Sequence, residues 1–238
     1  MKLIKVSNYS ELSKLAAEII IEQIKKKPNS VLGLATGQTP LGMYKELVKA
    51  YIQKKVDFSK VKTFNLDEYY NIKKTDKNSY HYYMCENFFS RVNVKSKNIN
   101  MLHGKAKNVK QECQNYDKLL KQNPIDIQIL GIGVNGHIGF DEPNSSFSSK
   151  TRLIDLTKST IKRNSRFFKS KKQFPKHALT MGLSEIFKAK KIILLASGKA
   201  KKQIISKLIK SKPSEEIPAS IIKKHKNSIL IADKSALS

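Results

Sequence analysis

The sequence predicts an α/β protein: three layers, helix on sheet on helix, around one mostly parallel, doubly wound sheet, forming a single domain over residues 1–238. Three observations carry this. Short apolar runs alternate along the chain with stretches of helical spacing, the mark of successive β–α–β units. The run IDIQILGIG at 125–133 is apolar almost throughout, as expected of a strand covered on both faces. No linker rich in Pro, Gly or Ser divides the chain, and 238 residues suit one such domain.

The elements follow in order. KLIKV, near the N-terminus, reads as the first strand. Leu12, Ala16, Ile19, Ile20 and Ile24 recur at helical spacing over 9–26, with Ser10 as the expected cap. SVLGLA (30–35) is a buried strand, and 40–54 a helix with Pro40 in its first turn. VKTFNLD (61–67) is the next strand, followed by helices near 78–90 and at 108–122, and then by the apolar strand at 125–133. RLIDL (152–156), ALTMG (178–182) and KIILLAS (191–197) read as strands, 199–210 as a helix, and SILIAD (228–233) as the last strand. The one long polar stretch, DEPNSSFSSKT at 141–151, opens a segment expected to act as a lid over roughly 141–175. In a Rossmann-like sheet of this kind, ligands bind beyond the carboxyl ends of the strands.

Composition bounds the partners. The formal net charge is +27, yet the excess is nearly all Lys, only Arg91, Arg152, Arg163 and Arg166 being arginine. The lysines are scattered, whereas base readout leans on Arg and a basic arm would be continuous. No nucleic-acid partner is therefore expected, although a positive field would steer a phosphorylated small molecule. The longest apolar runs, such as IILLA at 192–196, are too short to span a bilayer, and the N-terminus has no apolar block of the signal-peptide kind. Cys85 and Cys113 stand far apart outside any CxxC pattern, which points to a reducing, cytoplasmic setting and to no zinc site.

Four segments carry chemistry. In LATGQTPLGMY (34–44), Thr36, Gly37, Gln38 and Thr39 join a strand to a helix N-terminus. Such a turn suits a phosphate, through backbone N–H groups, the helix dipole and two hydroxyls, or it is a plain turn capped by Thr39. It matches neither the Walker pattern nor GxGxxG, so no nucleotide is implied. In FNLDEYY (64–70), Asp67 stands just past a strand, as a general base or as the cap of the next helix. GIGVNGHIGFDEP (131–143) sets His137 among four glycines, with Asn135 and Glu142 within reach of the imidazole. NSRFF (164–168) holds Arg166, and Lys199 in LLASGKAK (194–201) sits in the first turn of a helix, where a bound anion would offset its unfavourable position.

GLATGQTPLGMY, TFNLDEYY, GIGVNGHIGFDEP, TRLIDLT, NSRFF and ALTMG occur in the order and spacing of the glucosamine-6-phosphate deaminase family, which the chain resembles over nearly its whole length. The paired TFNxDEY and GNGHIxFxEP segments are specific. Related sugar-phosphate enzymes such as 6-phosphogluconolactonase share the fold and the phosphate loop without that pair. The resemblance implies conversion of glucosamine 6-phosphate and water to fructose 6-phosphate and ammonia, with no metal or organic cofactor. It assigns pyranose opening to His137, assisted by Glu142 and Asn135. It assigns proton transfer from C2 to C1 to Asp67, and the phosphate site to Thr36, Gly37, Gln38, Thr39, Arg166 and Lys199.

The chain departs from the family pattern in places. Asn135 stands where some members carry Asp, Asp141 replaces an Asn, and Gln38 replaces the second glycine of TGGTP. An amide beside the histidine raises its basicity less than a carboxylate does. The longer members are hexamers activated by N-acetylglucosamine 6-phosphate. Part of that activator site is a C-terminal extension this chain lacks, and a basic residue of the site is Ile154 here. The expectation is a monomer or small homo-oligomer with weak or absent allosteric activation.

Overall fold

The computed structural model describes residues 1–157, 160–161, 165 and 174–238. Among them, seven strands form one parallel sheet: β1 (Lys2–Val6), β2 (Val31–Leu34), β3 (Lys62–Asn65), β5 (Ile99–Asn100), β6 (Ile127–Gly131), β9 (Ile192–Ala196) and β10 (Ser228–Asp233). Their spatial order is β1-β10-β9-β6-β2-β3-β5, every neighbouring pair parallel. From β2 the chain winds outward through β3 to β5, then crosses back to β6 and winds the other way through β9 and β10. The winding reverses between the adjacent strands β2 and β6. Their carboxyl ends diverge to opposite faces and leave a crevice there.

Helices cover both faces. On one, α1 (Tyr9–Lys26), α2 (Gln38–Ile52) and α3 (Tyr80–Asn87) pack Leu12, Ile20, Met43, Leu47 and Met84 against Leu32, Leu34, Ile127, Ile129 and Ile193. On the other, α4 (Val109–Gln122), α5 (Leu183–Phe187), α6 (Lys202–Lys210) and α7 (Lys234–Leu237) pack Tyr116, Leu120, Ile186, Ile205, Leu208 and Ala236 against Leu130, Ile192, Leu194 and Leu230. Successive side chains of β6 and β9 thus feed opposite layers, which is why those runs are apolar without alternation.

β7 (Arg152–Asp155) and β8 (His177–Thr180), read from the sequence as strands, stand outside the parallel sheet: β8 pairs antiparallel with β7 on one side and with β4 (Asp67–Tyr69) on the other in a separate three-stranded sheet, in the order β4-β8-β7. The run expected as one strand at 61–67 ends at Asn65, and Asp67 already belongs to this second sheet. β7 alternates between half-buried and exposed positions, the pattern of a strand with one wet face. A small aromatic cluster packs on the second sheet, joining it to α3 and to the segment after β6: Tyr69 lies 5.4 Å from Phe140 and 5.0 Å from Tyr80, ring centre to ring centre.

Helix ends differ in detail. The cap of α1 is Asn8, not Ser10: its side chain accepts from Glu11 N at 3.0 Å, and Glu11 returns a bond to Ser7 N at 2.7 Å. α2 begins at Gln38 rather than Pro40, after Gly37 at φ 101°, a backbone conformation that glycine adopts without strain. The expected helix at 199–210 opens with a 3₁₀ turn, Lys199–Lys201, before α6 proper. The polar stretch after Asp141 is held by Glu215, whose carbonyl accepts from Asn144 N at 2.8 Å and whose carboxylate accepts from Phe147 N at 2.7 Å. The second half of the expected lid, including Arg166, lies largely outside the described residues.

Candidate active site

A cleft of about 600 Å³ opens in the crevice. Its walls come from four strand ends: Ala35–Pro40 after β2, Leu66 and Asp67 after β3, the segment from Gly131 to Gly139 after β6, and Ser197 and Lys201 after β9. Lys77, Asn78, Ser79, Tyr80 and Tyr83 close the remaining side from the approach to α3.

The loop after β2 is pinned through its carbonyl groups. Tyr83 Oη donates to Gly37 O at 2.6 Å, and Tyr9 Oη donates to Gln38 O at 2.8 Å while accepting from Gly42 N at 2.7 Å. Tyr44 Oη donates to Ala35 O at 2.6 Å. Among the described residues no side chain caps α2, so the positive end of a 15-residue helix faces the cleft beside Thr36 and Thr39. This is the arrangement an anionic group needs, and Thr36, Gly37, Gln38 and Thr39 all line it.

Lys199, the lysine expected at this end, and its neighbour Lys201 are placed differently. Lys199 is exposed and does not line the cleft, whereas Lys201 does, with Nζ donating to Ile132 O at 2.6 Å. Gly198 at φ 90° and the 3₁₀ turn after it set the angular phase, turning Lys199 to solvent and Lys201 inward. Asp233 fixes this turn by accepting from Ser197 Oγ at 2.5 Å and Gly198 N at 3.2 Å. Arg166, the other cation assigned to this end of the cleft, lies outside the described residues.

Asp67 sits on the cleft where the chain passes from one sheet to the other. Leu66 N donates to Leu34 O at 3.2 Å and Met181 N to Leu66 O at 2.7 Å, so both neighbouring backbones hold the crossing. The carboxyl is 6% exposed, and burial, with the nearby carboxylates of Glu68 and Asp141, pushes its pKa well above the ordinary aspartate range. Asp67 does not cap the next helix: Ser79 is the N-cap of α3, its Oγ accepting from Tyr82 N at 3.0 Å, and Glu68 supports the same helix start. Its buried carboxylate accepts from Tyr80 N at 2.9 Å and His81 N at 2.8 Å, at the start of α3, and from Tyr69 N at 2.9 Å. Burial raises the Glu68 pKa to about 7 against the pull of these three donors.

His137 faces the same cleft, half-buried. Its Nδ1 lies 2.6 Å from Asn135 Oδ1, and Asn135 Nδ2 donates to Glu142 Oε2 at 2.7 Å. A carboxylate only accepts, so the amide must turn its nitrogen to Glu142 and its oxygen to the ring. Nδ1 then carries the proton, and Nε2 is the basic nitrogen. Glu142 also lies 3.6 Å from His137 Nδ1 and accepts from Thr157 Oγ1 at 3.3 Å and from Thr160 Oγ1. Burial alone would raise its pKa; His137, Thr160 and Asn135 together hold it down to about 2. Gly133 leaves room for the ring: a Cβ there would stand 2.2 Å from Cε1 of His137.

One relationship here has no counterpart in the sequence reading. Asp141, one residue before Glu142, is wholly buried and accepts from Arg152 Nη1 at 2.8 Å, its pKa raised by burial to about 6 against the pull of that guanidinium. Among the described residues no group of three His, Cys, Asp or Glu side chains is disposed to hold a metal ion, and no helix is long and apolar enough to cross a membrane. Both cysteines are free thiols.

The family model for glucosamine-6-phosphate isomerases/6-phosphogluconolactonase matches residues 7–231. The chain is 53% identical to the glucosamine-6-phosphate deaminase of Clostridium botulinum strain Langeland over 239 aligned positions, covering 100% of this chain and 98% of that one. It is equally 53% identical to the enzyme of the same name from Clostridium acetobutylicum, covering 99% and 98%. Its fold superposes at a TM-score of 0.97 on a solved structure described as a monomeric glucosamine-6-phosphate deaminase, 41% identical with 100% of each chain covered. A 6-phosphogluconolactonase from Thermotoga maritima shares the fold at a TM-score of 0.78, with 18% identity over 98% of this chain and 99% of that one.

Proposed function

The chain belongs to the family of glucosamine-6-phosphate isomerases and 6-phosphogluconolactonases, and within it we propose that this protein is a glucosamine-6-phosphate deaminase, converting glucosamine 6-phosphate and water to fructose 6-phosphate and ammonia. The observation that carries the reading is the convergence of a buried, basic Asp67 and an oriented His137 on one cleft whose far end is a helix N-terminus suited to phosphate.

The chemistry needs two separate proton-handling groups. The sugar binds as a ring, so a group near the ring oxygen must take the proton of the C1 hydroxyl and deliver one to O5. Nε2 of His137 is free to do both, because Asn135 and Glu142 engage the other nitrogen. In the open aldehyde the C2 proton is acidified by the carbonyl, and Asp67 removes it, leaving a C1–C2 double bond that bears the amine and the former aldehyde oxygen. Asp67 then returns the proton to C1. The product is an imine at C2, which adds water and expels ammonia. One carboxylate serves both carbons because they are adjacent and present the same face. Its burial makes it a stronger base than an exposed aspartate, at the ends of strands too rigid to let it drift. The phosphate, held by the loop 36–39 and Lys201, fixes the sugar from its far end, so binding energy gained there orients C2 over Asp67.

We further infer that the protein acts in amino-sugar breakdown in the cytoplasm as a monomer or small homo-oligomer, without activation by an N-acetylated sugar phosphate. Ile154 offers no charge to such an effector, and Arg152 is already engaged by Asp141. A coupled assay for ammonia and fructose 6-phosphate tests the main reading. Stoichiometric release of both is the expected result; turnover of 6-phosphogluconolactone with no ammonia from the amino sugar would replace it with a lactonase. Sedimentation at micromolar concentration and a rate curve with and without N-acetylglucosamine 6-phosphate test the rest. A hexamer with activator-dependent cooperativity is the contrary outcome.

A further inference from the structure

The second sheet lines up three residues that the proposed mechanism does not treat as a unit. In its register Asp67 stands opposite Thr180, and Thr180 stands opposite Arg152 on the other side. Residues paired in this way project from the same face, so the base, a hydroxyl and a guanidinium form one row across β4, β8 and β7. Asp141 closes the row, with Oδ1 2.8 Å from Arg152 Nη1. It is carried there by a tight turn in which Asp141 N donates to Ile138 O at 3.0 Å. The same turn lies on the base: a Cβ on Gly139 would stand 3.5 Å from Asp67 Oδ2 and 3.1 Å from Thr180 Oγ1, and Phe140 N donates to Thr180 Oγ1 at 3.2 Å.

Asp141 is an expensive residue for mere fastening. It is 0% exposed, and Oδ2 has no hydrogen-bond partner among the described residues, so half of a buried carboxylate is unmatched there. An asparagine would keep the contact to Arg152 through its oxygen without the charge. The turn that carries this charge lies against Asp67, and we propose that Asp141, anchored by Arg152, is a positioning residue that strengthens Asp67 as the acceptor of the substrate's C2 proton. This rests on the deaminase reading for the identity of that proton, but not for the coupling between the two carboxyls.

Among the described residues, other titratable groups also face Asp67. Glu68, on the same strand, adds a negative charge and is tied to three backbone N–H groups. Tyr80 from α3 and Tyr116 from α4 are buried phenols whose pKa values are raised by burial, so both are neutral, and His137 shares the cleft. Arg152 pulls the opposite way, and its effect is cancelled only while Asp141 is ionised. Protonating Asp141 therefore leaves an uncompensated cation in the row that ends on the base, and the two carboxyls are expected to titrate as a coupled pair.

The test is the pH profile of kcat/KM for wild type and Asp141→Asn. The acid limb should move to lower pH by about half to one unit, with kcat at the plateau falling severalfold and KM within about twofold, because a weaker base transfers the proton more slowly. An acid limb that superimposes on wild type, or moves to higher pH, overturns the proposal. A second measurement needs no turnover and so separates this idea from the activity itself: ¹³C-carboxyl titration of the aspartates in the unliganded protein, with Asp67 assigned through Asp67→Asn. Asp67 should titrate at lower pH in Asp141→Asn; an unchanged titration counts against the coupling. Should that variant not fold, the wild-type titration decides. Two interdependent steps at Asp67 and Asp141 support the coupling, and a single independent step at Asp67 sinks it.

Discussion

Asn135 Oδ1 and His137 Nδ1 face each other at 2.6 Å, and the same amide donates its nitrogen to Glu142 at 2.7 Å. The amide is a polarity filter. It transmits the carboxylate's preference to the ring without bringing a second negative charge against it. Asn135→Asp removes that filter, setting two carboxylates against each other unless one takes a proton or the imidazole becomes charged. The expected result is a more basic His137, seen as an upward shift of its ring resonances in an NMR titration, with the pH profile of ring opening moving the same way. Asn135→Ala should leave the ring unoriented and reduce kcat/KM by about ten- to a hundredfold. A histidine that titrates identically in wild type and Asn135→Asp would remove Asn135 from this role.

Asp67→Asn should abolish turnover while leaving substrate affinity nearly intact, since the base acts on the transition state. It should also stabilise the fold at neutral pH. The Asp67 pKa is raised on folding, so the unfolded chain releases this proton first, and stability is lost as pH rises from the unfolded pKa through the folded one. The asparagine variant lacks that loss. A melting temperature raised by about a few degrees at pH 7, and converging with wild type in acid, is the expected pattern. Near-normal turnover would refute the assignment outright.

Much of this site was legible because its residues announce themselves locally. A histidine among four glycines, an Asp past an apolar run and a threonine-rich turn before a helix each carry a signal within a dozen residues. What was hidden depends on contacts far apart in sequence. RLIDL and ALTMG have the same apolar pattern as the strands of the parallel sheet, and only pairing with Asp67–Tyr69 tells that they form another. The Asp141–Arg152 pair is invisible for the same reason: DEP reads as polar loop and RLIDL as strand, and nothing local brings the two together. Asn8 with Glu11 three residues on is a capping pair, whereas Ser10 has no such partner.

Lys199 and Lys201 show how two residues of helical phase decide a role. Both are lysines at the start of the same helix, yet one is exposed and the other lines the cleft. Lys201→Met should raise KM for the sugar phosphate by about tenfold or more, the loss of one charge-assisted contact, with kcat changing less. Lys199→Met should change KM by less than about twofold. Steady-state kinetics on the pair suffices, and the reverse ranking would return the phosphate contact to Lys199.

Glu142 ties the cleft to the segment beyond it, since Thr157 and Thr160 from that segment donate to its carboxylate alongside Asn135. Its pKa is held down to about 2 in the fold, against 4.5 as the ordinary value. A depressed carboxylate contributes stability that is whole above the unfolded pKa and vanishes as pH falls through the folded one, so the window runs from about pH 5 down to about 2. Glu142→Gln cannot lose what it never had. Urea midpoints of wild type should therefore exceed those of the variant at pH 6 and close on them by pH 3. At neutral pH the variant should also lose activity, because an amide beside Asn135 no longer dictates which way that side chain turns, and His137 loses its fixed tautomer. Midpoints that stay a constant distance apart from pH 6 to pH 3 would mean that Glu142 holds this corner by packing rather than by charge.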